Sequence, residues 1–202
     1  MHFSKAMASA ICPPVFFKKI GAAGLARVLM LLLLAAGMAA PAGLHAQSGI
    51  QREYEIKAAY LYNFINYIEW PAEASPTAGG TLTIGIVGES PFSGVFSSLN
   101  GKQIKGRTLA VKPIASLKDA DACQIVFVFA PAPARAAEVL DQLKDARALT
   151  VGEEDGFAAR GGVINFTLEH NKVRFEINPD AAKRQGLNIS SELLKLAKLV
   201  KS

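Results

Sequence analysis

Two short apolar runs, TLTIGIVG at 81–88 and CQIVFVFA at 123–130, constrain the fold more than any other feature of the chain. Neither keeps a regular wet row, as a strand on a sheet surface would, and both are short for a buried helix. Strands covered on both sides read this way, and the inner strands of a parallel sheet are covered on both sides. The run at 123–130 is the more apolar and is placed at the centre of the sheet. Residues 107–114 and 148–152 read as further strands.

Helical segments alternate with these strands. Residues 51–68 place Tyr54, Ala58, Leu61, Ile65 and Ile68 on one face, with Tyr60, Phe64 and Tyr67 on an adjoining strip. Trp70-Pro71 is expected to end that helix, because proline disfavours helical geometry in the residue before it. Ser90 with Pro91 reads as a cap and first position for a helix through Phe92, Val95, Phe96 and Leu99. A short capped turn follows at 116–121, and a helix at 135–146 turns Ala136, Val139, Leu140 and Leu143 inward. The style then changes. VINFTLEHNKVRFEINP reads as an antiparallel hairpin turning at His170-Asn171. Asn178-Pro179 opens a short helix that Gly186 ends. Ser190 opens a last helix, with Leu193, Leu194, Leu196, Ala197 and Val200 apolar and Lys195, Lys198 and Lys201 wet. The expected fold is α/β: a single domain with a mixed, mostly parallel sheet flanked by helices and a C-terminal antiparallel hairpin.

The chain has 202 residues and a formal charge of +5, which raises a nucleic-acid partner as a question. The charge is not spread through the chain. Lys5, Lys18, Lys19 and Arg27 precede the apolar stretch VLMLLLLAAGMAA, and without those four there remain 18 Lys and Arg against 17 Asp and Glu. Nucleic-acid binding thereby loses its support. Basic residues, a short apolar stretch and Leu-His-Ala ending at Ala46 form an export pattern. Residues 1–46 are read as a cleaved secretory signal peptide and 47–202 as the mature domain. A permanent anchor would need about 20 apolar residues.

Past Ala46 the chain holds one cysteine, Cys123, and one histidine, His170. A lone thiol at the mouth of an apolar run reads as a small core residue. One His and one Cys supply no zinc site and no nucleophile–base pair, so no metal, cofactor or catalytic set is expected. Phosphate-loop and dinucleotide-loop patterns are absent too. Two features invite a ligand. Glu153, Glu154 and Asp155 follow a strand end, where open α/β sheets bind ligands, and Ser90 opens a helix that could hold an anion. Both also have plain structural readings, as helix-dipole partners and as a cap.

Three stretches belong together: EYEIKAAYLYNFINYIEWP at 53–71, GFAARGGVINFTLEHNKVRFEINPDAAKRQGL at 156–187 and SSELLKLAKLV at 190–200. With IVGESPF between them, the chain closely resembles the YfiR-like family over almost its whole mature length. The resemblance implies a periplasmic protein that represses a membrane-bound diguanylate cyclase by binding its periplasmic sensor domain. An outer-membrane lipoprotein would relieve that repression, and lower cyclic-di-GMP output would disfavour biofilm. It also implies a disulfide between the first strand and the strand from Cys123. The corresponding first-strand position here is Gly85, which cannot form one.

A repressor needs only different affinities for two states of its partner. Both strips of the first helix read first as core; the candidate partner surface, if one strip is free, is Tyr60, Phe64, Tyr67 and Trp70, or else Phe157 beside the double glycine. A homodimer is a further possible assembly. The competing expectation is a periplasmic small-molecule binding domain with a cleft near Ser90, Glu153 and Glu154.

Overall fold

The two apolar runs pair in parallel, Ile84 beside Ile125 through to Val87 beside Val128. They do so in a computed structural model that describes residues 43–72, 74, 80–89, 92–130 and 133–201. Most of the expected signal peptide therefore lies outside the described residues, and so do Ser90 and Pro91. Among the described residues no helix is long and apolar enough to cross a membrane.

In chain order the elements are α1 (Gly43–Tyr67), β1 (Ile68–Glu69), β2 (Thr81–Val87), α2 (Ser93–Ser97), β3 (Gln103–Ile104) and β4 (Arg107–Pro113). A 3-10 turn (Leu117–Ala122) leads to β5 (Ile125–Val128), α3 (Pro133–Leu143) and β6 (Leu149–Gly152). The hairpin β7 (Ile164–Glu169) and β8 (Lys172–Ile177) comes next, then α4 (Pro179–Arg184), β9 (Asn188–Ile189), α5 (Ser191–Leu196) and β10 (Lys198–Leu199). The main sheet runs β10-β8-β7-β6-β5-β2-β4-β3, and β1 with β9 makes a separate antiparallel pair. Strands β4, β2, β5, β6 and β7 are mutually parallel. The fold is the mixed, mostly parallel α/β sheet that the alternation predicts.

Side-chain alternation sorts the core into two layers. Ile84, Ile86, Ile125 and Phe127 join a cluster with Tyr54, Ala58, Leu61, Phe64 and Ile65 of α1. Their neighbours Val87, Val126 and Val128 join another with Ala136, Val139, Leu140 and Leu143 of α3. Every residue of β5 is buried, as a strand covered on both faces must be.

The hairpin turns at His170 and Asn171, both with positive φ (50° and 59°), the backbone a two-residue turn needs to match strand twist. Asn178 caps α4 through Oδ1, which accepts from the Asp180 and Ala181 amides. Its Nδ2 donates to Ala158 O at 2.7 Å, so the buried amide is tied on both sides.

Three expectations are corrected. The first helix already runs from Gly43, and it ends at Tyr67 because Ile68 and Glu69 pair with Ile189 and Asn188. The pairing begins at Ile68, ahead of Trp70-Pro71. The short helix after β2 starts at Ser93, with Phe92 at its cap position and no side chain capping it. The last helix stops at Leu196, and Lys198–Leu199 lies parallel to β8 instead. The free edge of β8 explains this: Val200 N donates to Ile177 O and Lys198 Nζ to Glu176 Oε1, at 2.9 and 2.8 Å.

Candidate functional site

Lys57 interrupts the inward face of α1. It stands three residues after Tyr54 and four before Leu61, so the helix carries its ammonium toward the core, where the residue is 4% exposed. A buried ammonium must be paired. Glu53, one turn earlier, supplies one carboxylate, and Glu153, just past the end of β6, supplies the other at 2.6 Å. The Tyr54 hydroxyl donates to the second oxygen of Glu153 at 2.8 Å, and the Tyr54 ring lies 4.6 Å from Lys57 Nζ. That ring is itself held, stacked on Phe92 at 4.5 Å and edge-on to Phe96 at 6.0 Å. The cluster thus fastens α1 to the carboxyl end of the sheet with charge.

A cleft of about 400 Å³ opens beside it, lined by Lys57, Phe129, Glu153, Glu154, Asp155 and Thr167, among others. It sits outside the carboxyl ends of β5 and β6, next to the β2/β5 junction where the strand order reverses. The expectation of a cleft at Glu153 and Glu154 lands here. Glu153 is committed to Lys57 and Tyr54. The Glu154 and Asp155 carboxylates make no hydrogen bond or ion pair among the described residues. An amine, a cation or a neutral polar molecule fits this charge balance better than a phosphate does. Ser90, the other expected cleft residue, lies outside the described residues. No group of three metal-ligating side chains occurs among the described residues.

The aromatic candidates fall differently. Phe64 is buried among Phe166, Phe175 and Tyr60 at 5.3–5.9 Å. Phe157 is fully buried between glycines: a Cβ on Gly162 would stand 2.2 Å from its ring, and one on Gly152 2.6 Å. Both are core residues, and neither offers a partner any surface. Tyr60, Tyr67 and Trp70 are partly buried against the same core. Trp70 also acts as a strap, its Nε1 donating to Gln124 O at 2.8 Å. The buried Gln124 side chain completes that tie, accepting from Thr83 N and donating to Ala74 O.

Cys123 is buried and free. Burial pushes its thiol pKa up, against a smaller opposing pull from Lys112. Gly85 faces it, and a Cβ there would stand 2.9 Å from Sγ and 2.3 Å from Ile114 Cδ1. The two positions that the resemblance links by a disulfide are therefore neighbours, and Ile114 and Cys123 occupy the space a side chain at 85 would need.

The pattern that defines the YfiR/HmsC-like family matches residues 54–198. No curated protein matches the chain. Among solved structures, one similar chain is a conserved domain protein from Vibrio cholerae O1 biovar eltor, at 12% identity and TM-score 0.43, covering 59% of this chain and 54% of that one. Another is the ABC domain in complex with L-Trp from Streptococcus pneumonia, at 12% identity and TM-score 0.42, covering 59% and 55%. The chain spans little more than half the length of each.

Proposed function

Because the chain belongs to the YfiR/HmsC-like family, we propose that it is a periplasmic, non-catalytic regulator that binds the periplasmic domain of an inner-membrane diguanylate cyclase and represses cyclic-di-GMP synthesis. The observation that carries this reading is the family pattern, which spans nearly the whole described domain, from Tyr54 to Lys198. The site chemistry agrees with it: the buried Lys57 is paired with Glu53 and Glu153 in the manner of a structural clamp. In this reading residues 1–46 are an export signal cut after Ala46, and an outer-membrane lipoprotein relieves repression by sequestering the regulator.

The test is a cyclic-di-GMP reporter in the source bacterium with the gene deleted and restored. Higher output on deletion, reversed on restoration and dependent on one periplasm-facing cyclase, is expected. Unchanged output in both strains would sink the reading.

A second reading is favoured by the cleft: the domain binds a small amine or neutral polar ligand beside Glu154 and Asp155, alone or as the signal for release. Such a ligand at a hundredfold excess over its Kd adds about 2.7 kcal/mol of stability. A panel of small amines that leaves the melting temperature unmoved counts against it.

A further inference from the structure

Among the described residues five large apolar side chains are exposed, and three of them meet in one place. Ile50 and Ile56, on the outer side of α1, are 45% and 40% exposed, and Leu168, near the hairpin tip, is 54% exposed. They line a groove of about 400 Å³ between the first half of α1 and the β7–β8 hairpin, with Val173 and Asn171 on the hairpin side. Scattered single apolar residues are ordinary on a protein surface; three converging on one groove are not. The groove also adjoins the acidic cleft, since Glu53 and Leu168 line both. On the cleft side Glu154 and Asp155 carry carboxylates that make no hydrogen bond or ion pair among the described residues. Arg52 is the cation that lines the groove.

We infer that this groove and its acidic flank form the docking surface for an amphipathic segment of the regulated partner, one that sets apolar side chains between Ile56 and Leu168 and lysines or arginines against Glu154 and Asp155. The inference rests on the protein-binding reading and names the contact. Apolar anchors would give the affinity, and opposite charge would set direction and association rate. A partner segment with acidic flanks would meet like charge and be refused. A second copy of this chain is the rival occupant, because Arg52 of one copy could face the carboxylates of the other across a twofold axis.

The test uses the protein as the cell exports it, its N-terminus read by mass spectrometry. Two labelled amphipathic peptides of about 14 residues serve as probes, one pairing Leu with Lys and the other Leu with Glu. The Lys peptide should bind at least ~10-fold more tightly, with the gap closing as salt rises. Ile56→Ser/Leu168→Ser and Glu154→Gln/Asp155→Asn should each weaken it ~10-fold or more, while Leu196→Ser/Leu199→Ser, at the other exposed leucines, should not. Equal binding of the two peptides, or an equal loss in the Leu196/Leu199 variant, overturns the inference. So does self-association on sedimentation that Leu168→Ser abolishes.

The same variants go into the cyclic-di-GMP reporter. If the wild type represses and both groove variants do not, the surface is the regulatory contact. If the variants repress like wild type, the surface is wrong and the regulator reading stands. If the wild type itself does not repress, the regulator reading falls and the peptides alone decide the groove.

Discussion

From Glu53 to Lys57 helix α1 buries charge, whereas from Tyr60 to Tyr67 it packs rings against the sheet, and the two halves hold the same helix by different means. In the second half Phe64 is surrounded by Phe166, Phe175 and Tyr60, contacts that are non-directional and tolerate small shifts. In the first half Lys57 sits between two carboxylates and a tyrosine ring, contacts that are directional and fail if one partner moves. An aromatic strip is thus the packed part of a helix, and a charge inside the apolar face is the part that reaches an opening. The proposed docking groove lies at that end of α1, beside the cleft.

The largest effect that could break this comparison is at Phe64. Phe64→Ala should cost about 3–5 kcal/mol of unfolding free energy, as expected for removing a fully buried ring. Denaturant titration measures it. A loss under about 1 kcal/mol would mean that the strip is loosely packed and could serve a partner after all.

At Lys57 the expected cost is smaller and of another origin. Lys57→Met strands Glu53 and Glu153, whose side chains are 19% and 15% exposed. The cost should be about 2–3 kcal/mol, below the 3–5 typical of a broken fully buried pair, because water reaches both carboxylates. Adding Glu153→Gln removes one stranded charge and keeps an acceptor for Tyr54, so the double variant should recover at least ~1 kcal/mol. A double variant no better than the single would show that Lys57 acts through packing of its stem rather than through charge.

The difference between the halves was only partly legible in the sequence. The central strands could be read from their lack of a wet row, and the hairpin and the Asn178 cap from local chemistry alone. The two-residue strands β1, β9 and β10 carry no period of their own; each exists because a distant edge accepts it, as Ile68 does with Ile189. Lys57 is visible in the sequence as a charge within an apolar stripe, with Glu53 one turn before it. Its second partner, Glu153, is 96 residues away, and no spacing encodes that pairing. Beside Gly161-Gly162 the sequence makes Phe157 a candidate surface residue, yet its ring is fully buried. The glycine that looked like a loop at 162 is there because the ring occupies the space its side chain would need.

Cys123 sharpens the comparison from the other face of the sheet, as a titratable group buried with no carboxylate clamp. Its thiol pKa is raised above the ordinary 9.0, mainly by desolvation. In the folded chain the thiol should therefore resist iodoacetamide at pH 8 and react only on unfolding. The linkage has a fixed sign: the unfolded thiol ionises first, so its contribution to stability is present below pH 9 and declines as pH rises beyond it. Replacement by Ala should flatten that alkaline decline. Ready alkylation of the folded protein would mean that the strand from Cys123 opens to solvent.

The smallest expected effect is at Lys198, the exposed counterpart of Lys57. It also pairs with a carboxylate, Glu176 at 2.8 Å, but its side chain is 68% exposed. Its pKa is raised above 10.5, first by the hydrogen bond to Glu176 and then by that carboxylate's charge. A raised lysine pKa contributes stability that is fully present below 10.5 and is lost as pH climbs through the folded-state value. Lys198→Met should therefore lower the melting temperature slightly at pH 8, by far less than Lys57→Met, and the gap should close above pH 10.5. Added salt should shrink the Lys198 effect while leaving most of the Lys57 effect, because screening acts on exposed charges and much less on buried ones. Equal salt sensitivity at the two lysines would erase the distinction between a clamp inside the fold and a pair upon it.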